Sequence, residues 1–154
     1  MDEPLLIAVN ISEGGIPKLP LSRGQVTEAG LVGDGQAHAK HTKPHRALSV
    51  LEVEIIEQLR GEGYRVSPGA LGENLTVQGL HGRVAAGDRL AFSGGVVIEL
   101  SEARKPCFVL DAVDPRLKEV TVGRLGWMAR VVTPGEVSPG ETITVSPGHP
   151  VDPC

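Results

Sequence analysis

Glycine and proline interrupt this chain at short intervals, and this punctuation is what most restricts its fold. Twenty glycines and twelve prolines are spread through 154 residues and divide the sequence into short apolar runs. Short apolar runs joined by tight turns are typical of many short strands. The sequence therefore predicts a mainly β fold with only minor helix.

The apolar runs predict seven strands, and one repeated pattern indicates how they are arranged. The strands are expected at residues 5–9, 25–31, 75–77, 89–92, 96–100, 127–132 and 142–145. Residues 84–90 and 137–143 both contain valine, two further residues, glycine, an acid and then the start of a strand. Turns that feed strands in this way are frequent in barrels, so we expect a compact β-barrel with a few short helices.

One helix is predicted near the middle of the chain and a second after Cys107. Ser49 with Glu52 three residues later forms a capping-box pattern, and Gly61 suits the position just past a helix end. Between them lies an apolar stripe at helical spacing, formed by Leu51, Ile55, Ile56 and Leu59. The second helix would run for one or two turns and stop before Pro115.

Length and composition favour one domain and exclude nucleic acid as an expected partner. A chain of 154 residues buries one core, and we assign residues 1–145 to a single domain and 146–154 to a C-terminal tail. Aromatic residues make up only 3%, so the core must be aliphatic, with Trp127 anchoring a strand. The net charge of −4 and the scarcity of aromatics offer nucleic acid neither a basic surface nor a stacking platform.

The N-terminus and the cysteines predict a cytoplasmic protein without a membrane segment. Residues 1–4 are acidic rather than basic and lead straight into the first strand, unlike a signal peptide. No apolar run approaches the length that spans a bilayer. Two cysteines, one of them the final residue, do not make a disulfide framework. A reducing compartment is the expectation that follows.

Cys107 is the residue on which the candidate chemistry centres. Arg104 and Lys105 lie within three residues of it, and Pro106 fixes the backbone before it. A nearby positive charge lowers the pKa of a thiol and so raises its thiolate fraction, as a nucleophile, a sulfur carrier or a soft-metal ligand requires. The alternative is a buried structural cysteine that acts as a small hydrophobic side chain.

Two glycine-rich segments add candidate ligand-binding residues. Lys18 ends the segment 14–18, where two glycines and a proline would hold an ammonium towards an anionic ligand. The segment 69–75 places two glycines, a carboxylate and an amide before a strand, a loop type that presents backbone N–H groups to anions. A solvated lysine and a plain turn are the respective alternatives.

A zinc site is a further hypothesis, because His38, His41 and His45 fall within eight residues and Asp34 precedes them. Cys107 would be a possible additional ligand. The spacing matches no common closed site, however, and the cations at positions 40, 43 and 46 would oppose a bound metal ion. A basic, polar loop that contacts an anion fits this composition better.

Seven segments in this order resemble the MOSC domain, the molybdenum cofactor sulfurase C-terminal domain. The resemblance runs over residues 11–145 and is closest to the stand-alone form of the domain. Its most specific strings are GENLTV and RKPC. The segments are GGIPK (14–18), GLVGD (30–34), HRALSVLE (45–52), PGALGENLTVQGL (68–80), VAAGDRL (84–90), ARKPC (103–107) and GRLGWMARVVTPGEVSPGE (123–141). The chain departs from the usual pattern at Met128, where relatives often carry an aromatic residue, and at Glu141, where Asp is common.

The resemblance implies a compact, mostly β, barrel-like fold and the molybdenum cofactor (molybdopterin) as ligand. Cys107 corresponds to the cysteine that handles sulfur in sulfurase-type members and ligates molybdenum in reductase-type members. Because the pterin carries phosphate, the resemblance also implies two further groups. Cations that would pair with phosphate or oxo groups are Lys18, Arg46 and Arg104, and groups that would hydrogen-bond pterin or phosphate are Asn74 and the backbone around Gly72.

Three functions are compatible with this resemblance. The first is a molybdenum-dependent reductase of N-hydroxylated bases or amidoximes, which needs an external electron donor because nothing here resembles a flavin, haem or iron–sulfur site. The second is a sulfur carrier that takes a persulfide from a cysteine desulfurase onto Cys107, or a module that delivers the cofactor without turnover. The third is an interaction domain that has lost its ligand site. Pyridoxal phosphate is associated with larger relatives of the family, and no segment here looks like a site for it; the oligomeric state stays open.

Overall fold

The computed structural model describes residues 3–35 and 43–148, and this part of the chain is built mainly from short strands. The prediction of a mainly β fold with a few short helices is confirmed. The strands are β1 (Leu5–Ile11), β2 (Leu19–Leu21), β3 (Gly24–Thr27), β4 (Gly30–Leu31), β5 (Leu48–Glu52), β6 (Leu75–Gln78), β7 (Arg89–Phe92), β8 (Val97–Ala103), β9 (Trp127–Thr133), β10 (Gly135–Val137) and β11 (Ile143–Ser146). The helices are α1 (Val53–Gly61) and α2 (Leu117–Val120), with 3₁₀ helices at Pro44–Arg46 and Phe108–Ala112.

Eight strands form one mixed sheet in the order β11-β7-β8-β9-β5-β6-β1-β2, and β10, β3 and β4 form a second sheet. The β5–β6 pair is parallel, and the other neighbours are antiparallel. Within residues 3–35 and 43–148, no continuous ladder closes the large sheet into a barrel. A single bridge, Leu5 to Thr142, brings β1 to the start of β11. The N–H of Leu6 also donates to the carbonyl of Glu141 over 2.9 Å. The expected barrel is thus an open sheet in which β1, one strand from one edge, touches the start of β11, the strand at the other edge.

The core is aliphatic, as the scarcity of aromatic residues requires. One cluster lies on the strands and includes Leu6, Val9, Leu48, Leu75, Ile98 and Leu100, with Trp127 packed against it as predicted. A second cluster lies beneath α1, the segment that follows Cys107 and the loop that precedes β9. Its buried members are Leu51, Ile56, Leu59, Val66, Leu71, Leu110, Leu117 and Leu125.

The predicted capping box at Ser49 is wrong, because this residue lies inside β5. β5 pairs with β9 on one side and β6 on the other, and its first four residues are buried. A central position in the sheet outweighs a local capping pattern. The helix begins at Val53 instead, and Glu52 at its N-cap makes no side-chain capping bond. Its end is close to the prediction, since Gly61 is the last helical residue.

Other boundaries also differ from the prediction for identifiable reasons. The strand predicted at 25–31 is the hairpin of β3 and β4, in which the Thr27 hydroxyl donates to the Gly30 carbonyl over 3.1 Å. The second predicted helix is the short 3₁₀ helix after Cys107. β2, β10 and α2 were not predicted; each has only three or four residues, too few to display a periodic pattern.

The structure bears on two further expectations, the absence of a membrane segment and the division of the chain into a domain and a C-terminal tail. Within the residues that it describes, no helix is long and apolar enough to cross a bilayer. β11 extends to Ser146, and the N–H of Gly148 donates to Asp88 Oδ1 over 2.8 Å. Most of the predicted tail lies outside the described residues, so the division into 1–145 and a tail stays a prediction.

Candidate functional site

A pocket of about 260 Å³ brings together residues from three of the segments singled out in the sequence. We call it the glycine-rich pocket. It joins Lys18, Gly72 and Arg104, which are far apart in the chain, and so places three of the six predicted site residues on one surface. Its full lining is Ser12, Gly14, Gly15, Ile16, Lys18, Gly72 and Arg104.

Arg104 is the charged centre of this pocket. It follows the last residue of β8, and its N–H donates to the carbonyl of Gly126 over 2.9 Å. Its Nη1 atom is buried and has no hydrogen-bond partner among the described residues. Burial lowers the pKa of this guanidinium, against the negative charges of Glu73 and of a Cys107 thiolate, which raise it. The nearby charge of Arg46 lowers it further. A buried cationic donor without a partner is a ready site for an anion.

Gly72 allows the Arg104 guanidinium to lie against the loop before β6. Its φ of +92° favours glycine, and a Cβ built there would lie 2.7 Å from Ile16 Cγ2 and 3.1 Å from Arg104 Nη2. Any side chain at this position would therefore push the guanidinium or the wall of the pocket aside. The sequence pointed to the backbone here, and the structure gives that backbone a role in seating Arg104.

Lys18 is buried in the pocket wall and paired with an acid. Its Nζ lies 2.7 Å from Asp34 Oδ1 and 2.8 Å from Asp34 Oδ2. Asp34 Oδ1 also accepts the N–H of Ser12 over 3.0 Å. The alternative of a solvated lysine is wrong, because Lys18 is only 8% exposed. Two of the three N–H donors of its ammonium can be used by Asp34, which leaves one for a ligand.

Asn74 does not line the glycine-rich pocket, and its side chain is fully buried. Its Oδ1 accepts the N–H of Ser49 over 3.1 Å, and its Nδ2 donates to the carbonyl of Asn10 over 3.3 Å. The amide thus ties β5 to β1 across β6. Its predicted contact with pterin or phosphate stays a prediction, and the observed bonds account for its polar atoms within the protein.

Glu73 is a functional candidate that the sequence did not single out. Its Oε2 accepts the N–H of Gly69 over 2.9 Å and the hydroxyl of Thr76 over 2.6 Å. Its Oε1 is buried and has no hydrogen-bond partner in the part of the chain that the structure describes. Burial raises the pKa of this carboxyl, while its hydrogen bonds and the charge of Arg104 lower it. A single acid in a glycine-rich loop carries no sequence signal that it will be buried beneath an arginine.

The raised pKa of Glu73 predicts how stability depends on pH. A carboxyl whose folded pKa lies above its unfolded value binds its proton more tightly in the folded state, so its stabilising effect is lost as pH rises through the folded pKa. We expect the free energy of unfolding of Glu73→Gln to increase relative to wild type as pH rises above 4.5, the ordinary value of the group. Denaturant titrations of both proteins across this range measure the difference. A difference that stays constant, or that falls with pH, contradicts the prediction.

Cys107 carries an exposed thiol, and among the described residues it is a free cysteine. The alternative of a buried structural cysteine is therefore wrong. Its backbone is extended, with φ −142° and ψ 177°, and the 3₁₀ helix begins directly after it. The N–H of Leu110 donates to its carbonyl over 3.1 Å. Arg104 lies within electrostatic range. The thiol is thus open to a ligand or a partner and has a cation beside it.

Arg46 reaches the same region from the 3₁₀ helix Pro44–Arg46. Its Nε lies 3.2 Å from Glu102 Oε1, near the end of β8, and His45 Nε2 lies 3.7 Å from the same oxygen. Its charge acts on Arg104. The predicted cations Arg46 and Arg104 are therefore neighbours, and Glu102 is the counter-charge that Arg46 shares with His45.

The zinc hypothesis receives no support from the described residues. His38 and His41 lie outside them. Asp34 is bound to Lys18, and His45 is beside Glu102. In the described ranges 3–35 and 43–148, no three histidine, cysteine or acidic side chains are grouped as metal ligands would be.

Comparison with known proteins gives related sequences that are mostly longer than this chain. A protein named "Reductase" from Gibberella moniliformis is 33% identical over 127 residues, which are 75% of this chain and 22% of that protein. Protein YiiM from Escherichia coli is 36% identical over 124 residues, or 73% of this chain and 54% of YiiM. The chain thus spans between about a fifth and little more than half of the length of these relatives.

Solved structures and a family profile agree on the fold. The YUAD protein from Bacillus subtilis superimposes with a TM-score of 0.78 at 21% identity, over 92% of this chain and 95% of that chain. YiiM from Geobacillus stearothermophilus gives a TM-score of 0.75 at 22% identity, over 93% and 75%. The profile of the MOSC domain matches residues 37–144, well over half of the sequence. This chain therefore belongs to the MOSC domain family.

Proposed function

We propose that this protein binds the molybdenum cofactor and reduces N-hydroxylated compounds, with the Cys107 thiolate as ligand to molybdenum. MOSC domains are associated with the molybdenum cofactor in general, and one relative bears the name "Reductase". The observation that carries the proposal is the buried Nη1 of Arg104, which has no hydrogen-bond partner among the described residues and belongs to a side chain that lines a glycine-rich pocket.

The residues of the glycine-rich pocket fit the phosphate of such a cofactor. Arg104 offers a charged donor that the described residues leave unused. Gly14 and Gly72 keep side chains out of the space beside it, so a phosphate can approach closely. Lys18 would add its remaining N–H while staying bound to Asp34. We assign Asn74 a supporting role, because its bonds hold β6 and the loop that contains Gly72.

The chain's own groups bind and orient rather than perform redox chemistry. When bound, the molybdenum centre supplies two-electron oxygen-atom transfer. Cys107 would hold the metal through its sulfur, the kind of ligand that a soft metal prefers. Arg46, which is paired with Glu102, adds positive charge near the Arg104 guanidinium. Electrons come from a separate donor protein.

A cavity-filling substitution tests whether this pocket holds the cofactor. Gly14 lines the pocket, and a Cβ built there meets no atom within 4 Å, so the side chain of Gly14→Leu starts without a clash and adds bulk to the lining. In protein purified from a cofactor-producing host, we expect about tenfold less bound molybdenum and pterin per chain than in wild type, a change worth about 1.4 kcal/mol. Metal analysis and fluorescence of the oxidised pterin measure both.

The matched control is Gly61→Leu at the end of α1, where a Cβ also meets nothing within 4 Å but lies outside the pocket. It should retain the wild-type content of both molybdenum and pterin. Equal cofactor content in Gly14→Leu and Gly61→Leu would remove the glycine-rich pocket as the binding site. Absence of both molybdenum and pterin from wild type would count against the reductase itself.

The exposed thiol of Cys107 favours one alternative, a sulfur carrier. An accessible cysteine beside a cation can accept a persulfide from a desulfurase and pass it to an acceptor, whereas a metal-bound sulfur cannot. Incubation with a cysteine desulfurase and labelled cysteine would place label on wild type and not on Cys107→Ala. Unlabelled wild type would exclude this alternative.

A further inference from the structure

A buried polar cluster adjoins the glycine-rich pocket and contains more acceptors than donors. The side chains of Asn10, Glu73 and Thr76 are fully buried. The Thr76 hydroxyl donates to Glu73 Oε2 over 2.6 Å and accepts a hydrogen bond from Asn10 Nδ2 over 3.0 Å. Asn10 Oδ1 and Glu73 Oε1 are both buried and have no hydrogen-bond partner among the described residues. Two acceptors of one cluster therefore lack a donor.

Exchanging the amide oxygen and nitrogen of Asn10 does not remove this excess of acceptors. Asn10 Nδ2 donates to the backbone carbonyl of Glu73 over 3.2 Å as well as to Thr76. The opposite orientation of the amide would point its oxygen at that carbonyl, so that two acceptors would face each other. A proton on the Glu73 carboxyl instead turns one of its oxygens into a donor. A protonated Glu73 therefore suits the cluster.

Arg104 is the charged group that couples Glu73 to the pocket. Its positive charge lowers the pKa of the Glu73 carboxyl, while burial of that carboxyl raises it. Its Nη1 is a buried donor without a partner in the described part of the chain, and its side chain lines the pocket. An anion that binds this guanidinium adds a negative charge and so offsets the positive charge that keeps Glu73 ionised.

The other charged groups of this region act on Arg104 or on one another. The Lys18 ammonium is bound to Asp34 in an ion pair without net charge. Within residues 3–35 and 43–148, the remaining charged or titratable groups near Arg104 are Arg46 and Cys107, whose charges act on it, and Glu102 and His45, which lie beside Arg46. Substitution of Glu73 separates its proton from the protons of these groups.

We propose that Glu73 takes up a proton from solvent when an anion binds to Arg104, so that occupation of the glycine-rich pocket is linked to pH. Without the proton, the bound anion and the Glu73 carboxylate would share one buried cation, and protonation removes the excess negative charge. By linkage, the proton strengthens anion binding by the same factor as the anion strengthens proton binding. That the anion in the cell is the phosphate of the cofactor rests on the proposed function; the linkage itself does not.

Sulfate binding to the full chain, purified from a host that makes no cofactor, measures this linkage. Sulfate stays a dianion while a buried carboxyl titrates, so a proton taken up on binding goes to the protein. In calorimetric titrations in buffers of different ionisation heat, we expect wild type to take up protons. Its dissociation constant for sulfate should rise about tenfold between about pH 5 and about pH 8.

Glu73→Gln removes the titrating group and keeps an oxygen for the N–H of Gly69 and the hydroxyl of Thr76. Because its side chain is neutral at every pH, this variant should lack the proton uptake that Glu73 contributes. It should match wild type near pH 5 and bind sulfate about tenfold more tightly than wild type near pH 8.

The matched control is Glu54→Gln. Glu54 also has a buried Oε1 without a partner among the described residues, and its Oε2 accepts the N–H of Gly79 over 2.9 Å. It lies on α1 and does not line the pocket. This variant should keep the proton uptake and the sulfate affinity of wild type. Gly14→Leu should weaken sulfate binding about tenfold, as expected of an anion inside the pocket.

The linkage and the proposed function can fail separately. Equal proton uptake by wild type and Glu73→Gln, unchanged sulfate affinity in Gly14→Leu, or no saturable sulfate binding at any pH would overturn the inference. Proton uptake that depends on Glu73, in a protein that acquires neither molybdenum nor pterin in a cofactor-producing host, would support the linkage and count against the proposed function.

Discussion

Cys107→Ser should lose bound molybdenum and reduce a hydroxylamino-purine at least about 100-fold more slowly than wild type, with an artificial electron donor. The physical reason is that an alcohol is neither ionised at neutral pH nor soft, whereas the proposed ligand must be both. The cation Arg104 stays in place in this variant and can still hold the phosphate of the cofactor. Pterin content should therefore fall less than molybdenum content and activity.

The Cys107 side chain is exposed, so replacing it removes no core contact. The substitution therefore tests the role of the sulfur without disturbing the fold. The thermal unfolding midpoint of Cys107→Ser should match that of wild type, and Cys107→Ala should give the same pattern. A fully active, molybdenum-replete Cys107→Ser would contradict the role of the thiolate as metal ligand. Loss of pterin and molybdenum together, with an unchanged fold, would instead show that the sulfur is needed to hold the whole cofactor.

Much of the fold followed from the spacing of apolar runs, and the errors have a common cause. Strands such as β7 and β9 begin where alternation or an apolar run begins, so local sequence located them. β5 was mistaken for the start of a helix because four consecutive buried residues have no period of their own. Its neighbours β6 and β9 decide its conformation, and they are distant in sequence.

The candidate site likewise contains residues that are neighbours in the sequence and residues that only the fold brings together. Cys107 and Arg104 lie three positions apart, so their proximity could be inferred from the chain alone. The Lys18–Asp34 pair spans 16 positions with no periodic pattern between them, and the Glu73 carboxylate comes to lie near Arg104 only through the fold. Sequence reasoning placed Asp34 with histidines because those residues are close along the chain. The structure gives it the buried ammonium of Lys18 as partner instead.

Lys18→Met should lower the free energy of unfolding by about 3–5 kcal/mol, because it leaves the Asp34 carboxylate buried without its counter-charge. The two side chains of this pair are only 8% and 2% exposed, so water cannot replace the lost ammonium. Denaturant unfolding at neutral pH measures the change. The double variant Lys18→Met with Asp34→Asn should recover more than half of the loss, since the amide is neutral and still offers an oxygen to the N–H of Ser12.

An exposed ion pair in the same molecule provides the control. Lys118 Nζ lies 3.3 Å from Asp111 Oδ2, with the two side chains 42% and 43% exposed, so Lys118→Met should cost at most about 1 kcal/mol. If Lys18→Met is no more destabilising than Lys118→Met, the Lys18–Asp34 pair does not support the pocket wall. If instead Lys18→Met is destabilised as predicted, a buried ion pair without net charge holds the loop that carries Gly14, and the anion-binding charge of the pocket resides mainly on Arg104.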